Sequence, residues 1–242
     1  MSLNLQNTKI IAVNISSFFL DFLFPRKCVG CGKHGASVCL ECVQAIEMIK
    51  TPTCSLCGKI TQFGQFCSNC RQRQKTPLAG LIVATHYDAG PVKEMIHHLK
   101  YSGFTEFADP LAELILQRIQ NKVPKGRIEV VPVPLHKSRE SMRGFNQSEL
   151  IARELSKKLR LDGGDFIRRV RNTEPQVTLS GARRRDNLAN SFICVDPAEV
   201  QGKTILLVDD VTTTGATLNE CARVLKDAGA RAVWGVVVAK RI

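Results

Sequence analysis

The stretch from Thr204 to Thr217, TILLVDDVTTTGAT, constrains the fold more than any other part of the chain. Thr204 to Val208 is unbroken apolar or β-branched sequence, the pattern of a strand covered on both faces in a parallel sheet. Asp209 and Asp210 follow at its carboxyl end, then Thr212, Thr213, Thr214, Gly215, Ala216 and Thr217, then a helical pattern over Leu218 to Ala228. A strand that turns through small residues into a helix gathers backbone N–H groups, hydroxyls and the positive end of a helix dipole at one point. That is a cradle for phosphate. Two acids beside an anion site repel the ligand unless they engage something else, and ribose hydroxyls or a magnesium ion would suit them. The plainer reading, a surface loop whose threonines cap the helix, leaves the acid pair without a purpose.

The second constraint lies near the other end. Four CxxC pairs stand between Cys28 and Cys70: Cys28 with Cys31, Cys39 with Cys42, Cys54 with Cys57, and Cys67 with Cys70. Two thiolates three positions apart can close on one tetrahedral ion, so eight ligands make two zinc sites of four thiolates each. Pairing in chain order keeps each loop short and is preferred; crossed pairing is compatible with the same spacing. Closed four-thiolate sites leave no position for a substrate, so both ions are expected to be structural. Met1 to Lys9 does not read as a secretory leader, and the apolar run Ile10 to Phe24 is too short and too polar to span a bilayer. A cytoplasmic, reducing location is expected, where paired cysteines mean metal rather than disulfides.

Thr8 to Leu23 reads as an amphipathic helix whose apolar face packs on the protein body or lies on a membrane surface. A helix is expected over Leu40 to Lys50, joining the two knuckles. A second domain begins near Leu78, so the expected division is 1–75 for the N-terminal helix and zinc module and 76–242 for the rest. Strands are expected at Leu81 to Tyr87, Ile128 to Pro134, Phe166 to Val170 and Ser191 to Val195, with Arg231 to Ala239 closing the sheet. Helices are expected at Val92 to Tyr101, Pro110 to Ile119 and Ser148 to Leu159. His97, His98 and Lys100 read as ordinary polar positions. The run VPVPLHKSRESMRGFNQ places His136, Lys137, Arg139 and Arg143 after a strand, at the sheet edge where ligands bind, and such side chains suit a pyrophosphate. Arg183, Arg184 and Arg185 fall in the polar segment Thr173 to Leu188, which is either a solvated loop or a lid over an anionic ligand. The formal charge of +12, from 34 Lys and Arg against 22 Asp and Glu, favours phosphate-rich partners.

TILLVDDVTTTGAT resembles the phosphoribosyl-pyrophosphate (PRPP) loop of type I phosphoribosyltransferases. Taken with FPRKCVGCG, the further CxxC pairs, HHLKYSG, VPVPLHKSRESMRGFNQSELIA, EPQ followed by LSGARRRDNLANSF, and LLVDDVTTTGAT, the whole chain resembles the ComF competence-protein family and its GntX-like branch. The resemblance implies an α/β protein: a small N-terminal double zinc ribbon, then a type I phosphoribosyltransferase-like parallel sheet flanked by helices. It implies that Asp209 and Asp210 face a ribose and that Thr212 to Thr217 hold its 5-phosphate. Pro134, Leu135 and His136 match the pyrophosphate-loop position, and Arg183, Arg184, Arg185 and Asn187 the flexible loop. It further implies two structural Zn2+, Mg2+ with PRPP or another phosphoribosyl ligand, single-stranded DNA as a partner, and DNA-uptake machinery at the inner membrane. Because Ser2 stands where a processed cysteine nucleophile would be needed, glutamine-dependent amination is not expected. The expected role is handling incoming single-stranded DNA in natural transformation. The alternative is an active PRPP-dependent phosphoribosyltransferase of nucleotide or base metabolism.

Overall fold

The computed structural model describes residues 26–74, 76–119, 126–171 and 190–241. The expected helix Thr8 to Leu23 and the segment carrying Arg183, Arg184 and Arg185 lie outside the described residues. The chain divides into two compact units, Met1–Ala45 and Ile46–Ile242.

In the first unit, the turn after Cys28 is closed by Gly32 N–H donating to the Cys28 carbonyl at 2.8 Å, and helix α1 spans Leu40–Gln44. The helix expected to run to Lys50 is thus only five residues long. Residues beyond it are drawn into extended pairing instead: Met48 bridges Thr85, and Ile49 N–H donates to the Ala84 carbonyl at 2.9 Å.

The larger unit opens with the second cysteine group and helix α2, Ser68–Gln74. After it come β1 Gly80–His86, α3 Val92–Tyr101, α4 Ala108–Ile119, β2 Ile128–Pro132, α5 Lys137–Arg143, α6 Gln147–Leu159 and β3 Asp162–Gly163. The remainder is β4 Ile167–Arg169, β5 Phe192–Cys194, α7 Pro197–Val200, β6 Thr204–Thr212, α8 Ala216–Asp227 and β7 Ala232–Lys240. Five strands form a parallel sheet in the order β1-β7-β6-β2-β3. Helices α4 and α6 pack together on it, and α8 packs against β5 and β7. With both faces covered, the sheet strands are largely apolar, and Thr204 to Val208 is buried without a break.

Three expectations change here. The strand expected to stop before the acids continues through them to Thr212, because β-branched Val211 and Thr212 keep pairing with Ala239 and Lys240. The last strand does not close the sheet but lies inside it, between β1 and β6. Finally, β4 and β5 pair antiparallel with each other and stay out of the main sheet.

The strand order explains where a ligand goes. The chain leaves β2 toward β3 and leaves β6 toward β7, on opposite sides. Connections that diverge from adjacent parallel strands open a crevice at their carboxyl ends.

Candidate functional site

That crevice is a cleft of about 870 Å3. Its floor is the end of β6 and the turn into α8. Gly215, at φ +77°, takes the left-handed conformation that starts α8, and no side chain caps the helix. A β-carbon at this φ would be strained, so glycine lets the chain reverse into a helix whose first-turn N–H groups have no acceptor within the helix itself. Thr212, Thr213, Thr214, Gly215, Ala216 and Thr217 all line it, as do Asp209 and Asp210.

Both acids are partnered from within. Ser148 Oγ donates to Asp209 Oδ1 at 2.8 Å, and the Asp210 backbone N–H donates to the same oxygen at 2.9 Å. Lys100 Nζ forms an ion pair with Asp210 Oδ2, although that oxygen accepts no hydrogen bond of regular geometry. The sequence around Ser148 is built to aim it. Gly144, left-handed at φ +86°, ends α5 and frees the chain to turn. Asn146 then caps α6, its Oδ1 accepting from Ser148 N–H at 3.1 Å while its Nδ2 donates to the Val133 carbonyl at 3.1 Å. The GFNQS segment thereby ties the end of β2 to the acid pair.

Burial, then the adjacent charge of Asp210, pushes the Asp209 carboxyl up to about 7, with Ser148 and Lys100 pulling the other way. Burial alone would lower Lys100, but the attraction of Asp210 holds it above its ordinary value. A carboxyl whose folded pKa lies above its unfolded one, as for Asp209, adds stability at low pH that is lost as pH rises toward 7. We expect the thermal midpoint to fall between pH 5 and pH 8, and Asp209→Asn to flatten that fall. An unchanged slope in the variant would refute the assignment.

Six basic residues line the cleft, Lys100, Arg139, Arg143, Arg169, Lys240 and Arg241, against the two acids. Burial, and next the nearby charge of Arg139, eases Arg169 below the usual guanidinium value. Cations crowded in this way are relieved by an anion. Pro134 and Leu135 also line the cleft. His136 is not among the lining residues; its Nδ1 caps α5 by accepting from Ser138 N–H at 3.2 Å. Sequence reasoning passed over Lys100, Ser148 and Tyr101, whose importance comes from partners distant in the chain. For Ser148 a local signal existed, the Asn cap two residues before it.

The eight CxxC cysteines fall into two groups in chain order, Cys28, Cys31, Cys39 and Cys42, then Cys54, Cys57, Cys67 and Cys70, with the sulfurs of each group within 4.8 Å of one another. Sulfur pairs at 3.7 Å (Cys31 and Cys39) and 3.6 Å (Cys57 and Cys67) match the edge of a tetrahedron built on zinc–sulfur bonds of about 2.3 Å. Gly30 and Cys39 N–H groups point at Cys28 Sγ, at 3.4 and 3.3 Å. Burial would raise the Cys28 thiol, yet such N–H groups bring it down to about 6; in the same group Cys42, hydrogen-bonded to Cys39, is pushed up to about 12. The second group repeats the split, with Cys54 near 7 and Cys70 about 12. In each group some thiols are driven to ionise while a neighbour is driven to keep its proton, with Cys67 lowered beside Cys54 in the second group, a conflict that a dication removes. Both groups therefore fit zinc.

No described helix is long and apolar enough to cross a membrane. The family model of a double zinc ribbon domain matches residues 19–71, and that of a phosphoribosyl transferase domain matches residues 141–242. Competence protein F of Haemophilus influenzae is 31% identical over 231 residues, covering 88% of this chain and 97% of that protein. The DNA utilization protein YhgH of Escherichia coli is 35% identical over 202 residues, covering 81% and 87%. Competence protein ComFC of Bacillus subtilis is 30% identical over 203 residues, covering 81% of each. A zinc-ribbon module followed by a phosphoribosyltransferase domain, shared along nearly the full length of such relatives, means that the chain belongs to the ComF family of competence proteins.

Proposed function

We propose that the cleft binds a phosphoribosyl ligand, PRPP with magnesium, in a protein that handles incoming single-stranded DNA during natural transformation. The observation that carries the reading is the placement of Asp209 and Asp210 at the end of β6, directly before an uncapped helix start at Gly215 and among six basic residues. A ribose ring offers two hydroxyl donors to the acids while its phosphate takes the helix N–H groups. Lys100 and Ser148 keep the carboxylates oriented and prevent them from repelling the phosphate. Arg139 and Arg143, raised on α5 beside the cleft, are the groups at hand for a pyrophosphate. Magnesium would find oxygen donors in Asp209 and in the ligand itself, and would supply neutralisation of the pyrophosphate charge. The role in DNA uptake is supported by the printed names of the relatives, two of them competence proteins and one a DNA utilization protein.

Calorimetry tests the ligand. PRPP with magnesium is expected to bind the full chain, and Asp209→Ala combined with Asp210→Ala to weaken it by more than about a hundredfold, since two charge-assisted hydrogen-bond acceptors are lost. Absent binding to the wild type, or equal binding to the double variant, defeats the reading.

A further inference from the structure

Beside the cleft stands a row of rings that the phosphoribosyl reading does not use. Tyr101, at the end of α3, is 68% exposed. Its ring lies 5.0 Å from that of His97, His97 lies 6.0 Å from His98, His98 lies 5.5 Å from Phe104, and Phe104 lies 6.0 Å from Phe107. Phe107 is buried at 1% exposure, so the row is anchored in the core at one end and reaches solvent at the other. Phe104 is itself 39% exposed. The Arg143 guanidinium sits over the Tyr101 ring at 5.3 Å, joining the row to α5. Tyr101, His97 and Arg143 all line the cleft.

The rings meet largely edge to face, His97 against His98 at 90° and His98 against Phe104 at 72°, and a contiguous exposed patch of this kind marks an interaction surface. A Tyr with an Arg plane on it, next to a basic cleft, combines the two elements that hold unpaired nucleic acid: rings for the bases and cations for the phosphates. We propose that the row from Tyr101 to Phe104 is the seat on which unpaired bases of single-stranded DNA stack, with the adjoining phosphates drawn to the basic residues that line the cleft. The inference deepens the reading above by locating the strand at the mouth of the phosphoribosyl cleft. Tyr101 lines the same cleft as Asp209 and Asp210, so a base stacked on it lies beside the phosphoribosyl site. Every base has a flat face, so the seat tolerates any sequence while rejecting a duplex, whose bases are already stacked on one another.

The test compares a 20-nucleotide oligo-dT with an abasic strand of the same length, by fluorescence anisotropy on the full chain at fixed salt. The two probes carry equal phosphate charge and differ only in bases. Oligo-dT is expected to bind at least tenfold more tightly, Tyr101→Ala to lose about tenfold of that advantage, and Tyr101→Phe to keep it. Phe104→Ala, outside the cleft lining, is expected to lose a smaller part. Equal affinity for both probes would mean contact through phosphates alone and overturn the inference, as would an undiminished preference in Tyr101→Ala. Failure of oligo-dT to bind would overturn it too. Binding of PRPP by the wild-type protein is read separately, so a protein that takes PRPP without preferring bases defeats this inference and leaves the other reading intact.

Discussion

Replacing Cys57 by serine is expected to lower the main thermal midpoint by more than about 10 °C, whereas replacing Cys31 is expected to move it by no more than a degree or two. Each variant removes one ligand from one four-thiolate group, and each is expected to lose one of two bound zinc ions by elemental analysis. The difference comes from where the groups are built. Cys54 is fully buried in the apolar core that also contains Phe66, Leu78, Leu81 and Val83, and Cys67 and Cys70 pack against it. Backbone contacts bind the same knuckle to the sheet: Phe66 N–H donates to the Ala79 carbonyl at 3.2 Å, and Gln65 bridges Gly80. Lys240 Nζ, from a residue that lines the cleft, donates to the Ser55 carbonyl at 3.2 Å. Structural zinc contributes on the order of 10 kcal/mol to the segment it folds, and in a unit of this size each 1 kcal/mol is worth about 2–4 °C. Even a fraction of the zinc term therefore exceeds 10 °C. The first group, Cys28 to Cys42, belongs to the separate compact unit Met1–Ala45, so its loss is expected to unfold that unit alone. Equal shifts from the two variants would contradict this division of labour. PRPP binding offers a second readout, since loosening the second knuckle releases Lys240.

Short-range chemistry explains which features could be read from the chain. The strand Thr204 to Val208, the acids after it and the hydroxyl-rich turn are contiguous, and so are the CxxC pairs; local spacing carries their meaning. The pairing of β6 beyond the acids depends on β7 offering Ala239 and Lys240 as partners, which no local pattern announces. Lys100 looked like one more basic residue on a helix because its significance is its position across from Asp210. The ring row had the same difficulty. Adjacent histidines do not share a helix face, so His97 and His98 read as unrelated, and only the fold shows Tyr101 and Phe104 extending the row on either side of them. The basic run from Lys137 to Arg143 reads in the sequence only as cations after a strand; a His cap at one end and a left-handed glycine at the other make it a helix.

The acid pair yields the second large effect. Lys100→Met is expected to destabilise the larger unit by about 3–5 kcal/mol, because it leaves a buried carboxylate without its counter-charge. The Asp210 side chain is only 4% exposed and that of Lys100 20%, so water cannot replace the lost partner. Asp209 lies next in sequence and is already pushed up to about 7 by burial and by Asp210, and removing the lysine takes away a charge that pulls it down. The penalty is expected to be larger at pH 8 than at pH 5, since protonation relieves a pair that has lost its cation. In thermal melts this means a drop of roughly 6–20 °C at the higher pH, shrinking at the lower one. Adding Asp210→Asn to Lys100→Met removes the orphaned charge and is expected to recover most of the stability without restoring PRPP binding. A pH-independent loss, or a double variant no better than the single one, would show that Lys100 acts through packing of its stem rather than as the counter-ion of the acid pair. The two readouts thus separate what holds the strand end together from what the strand end is for: neutralised acids keep the fold, while charged and oriented acids are what a ribose needs.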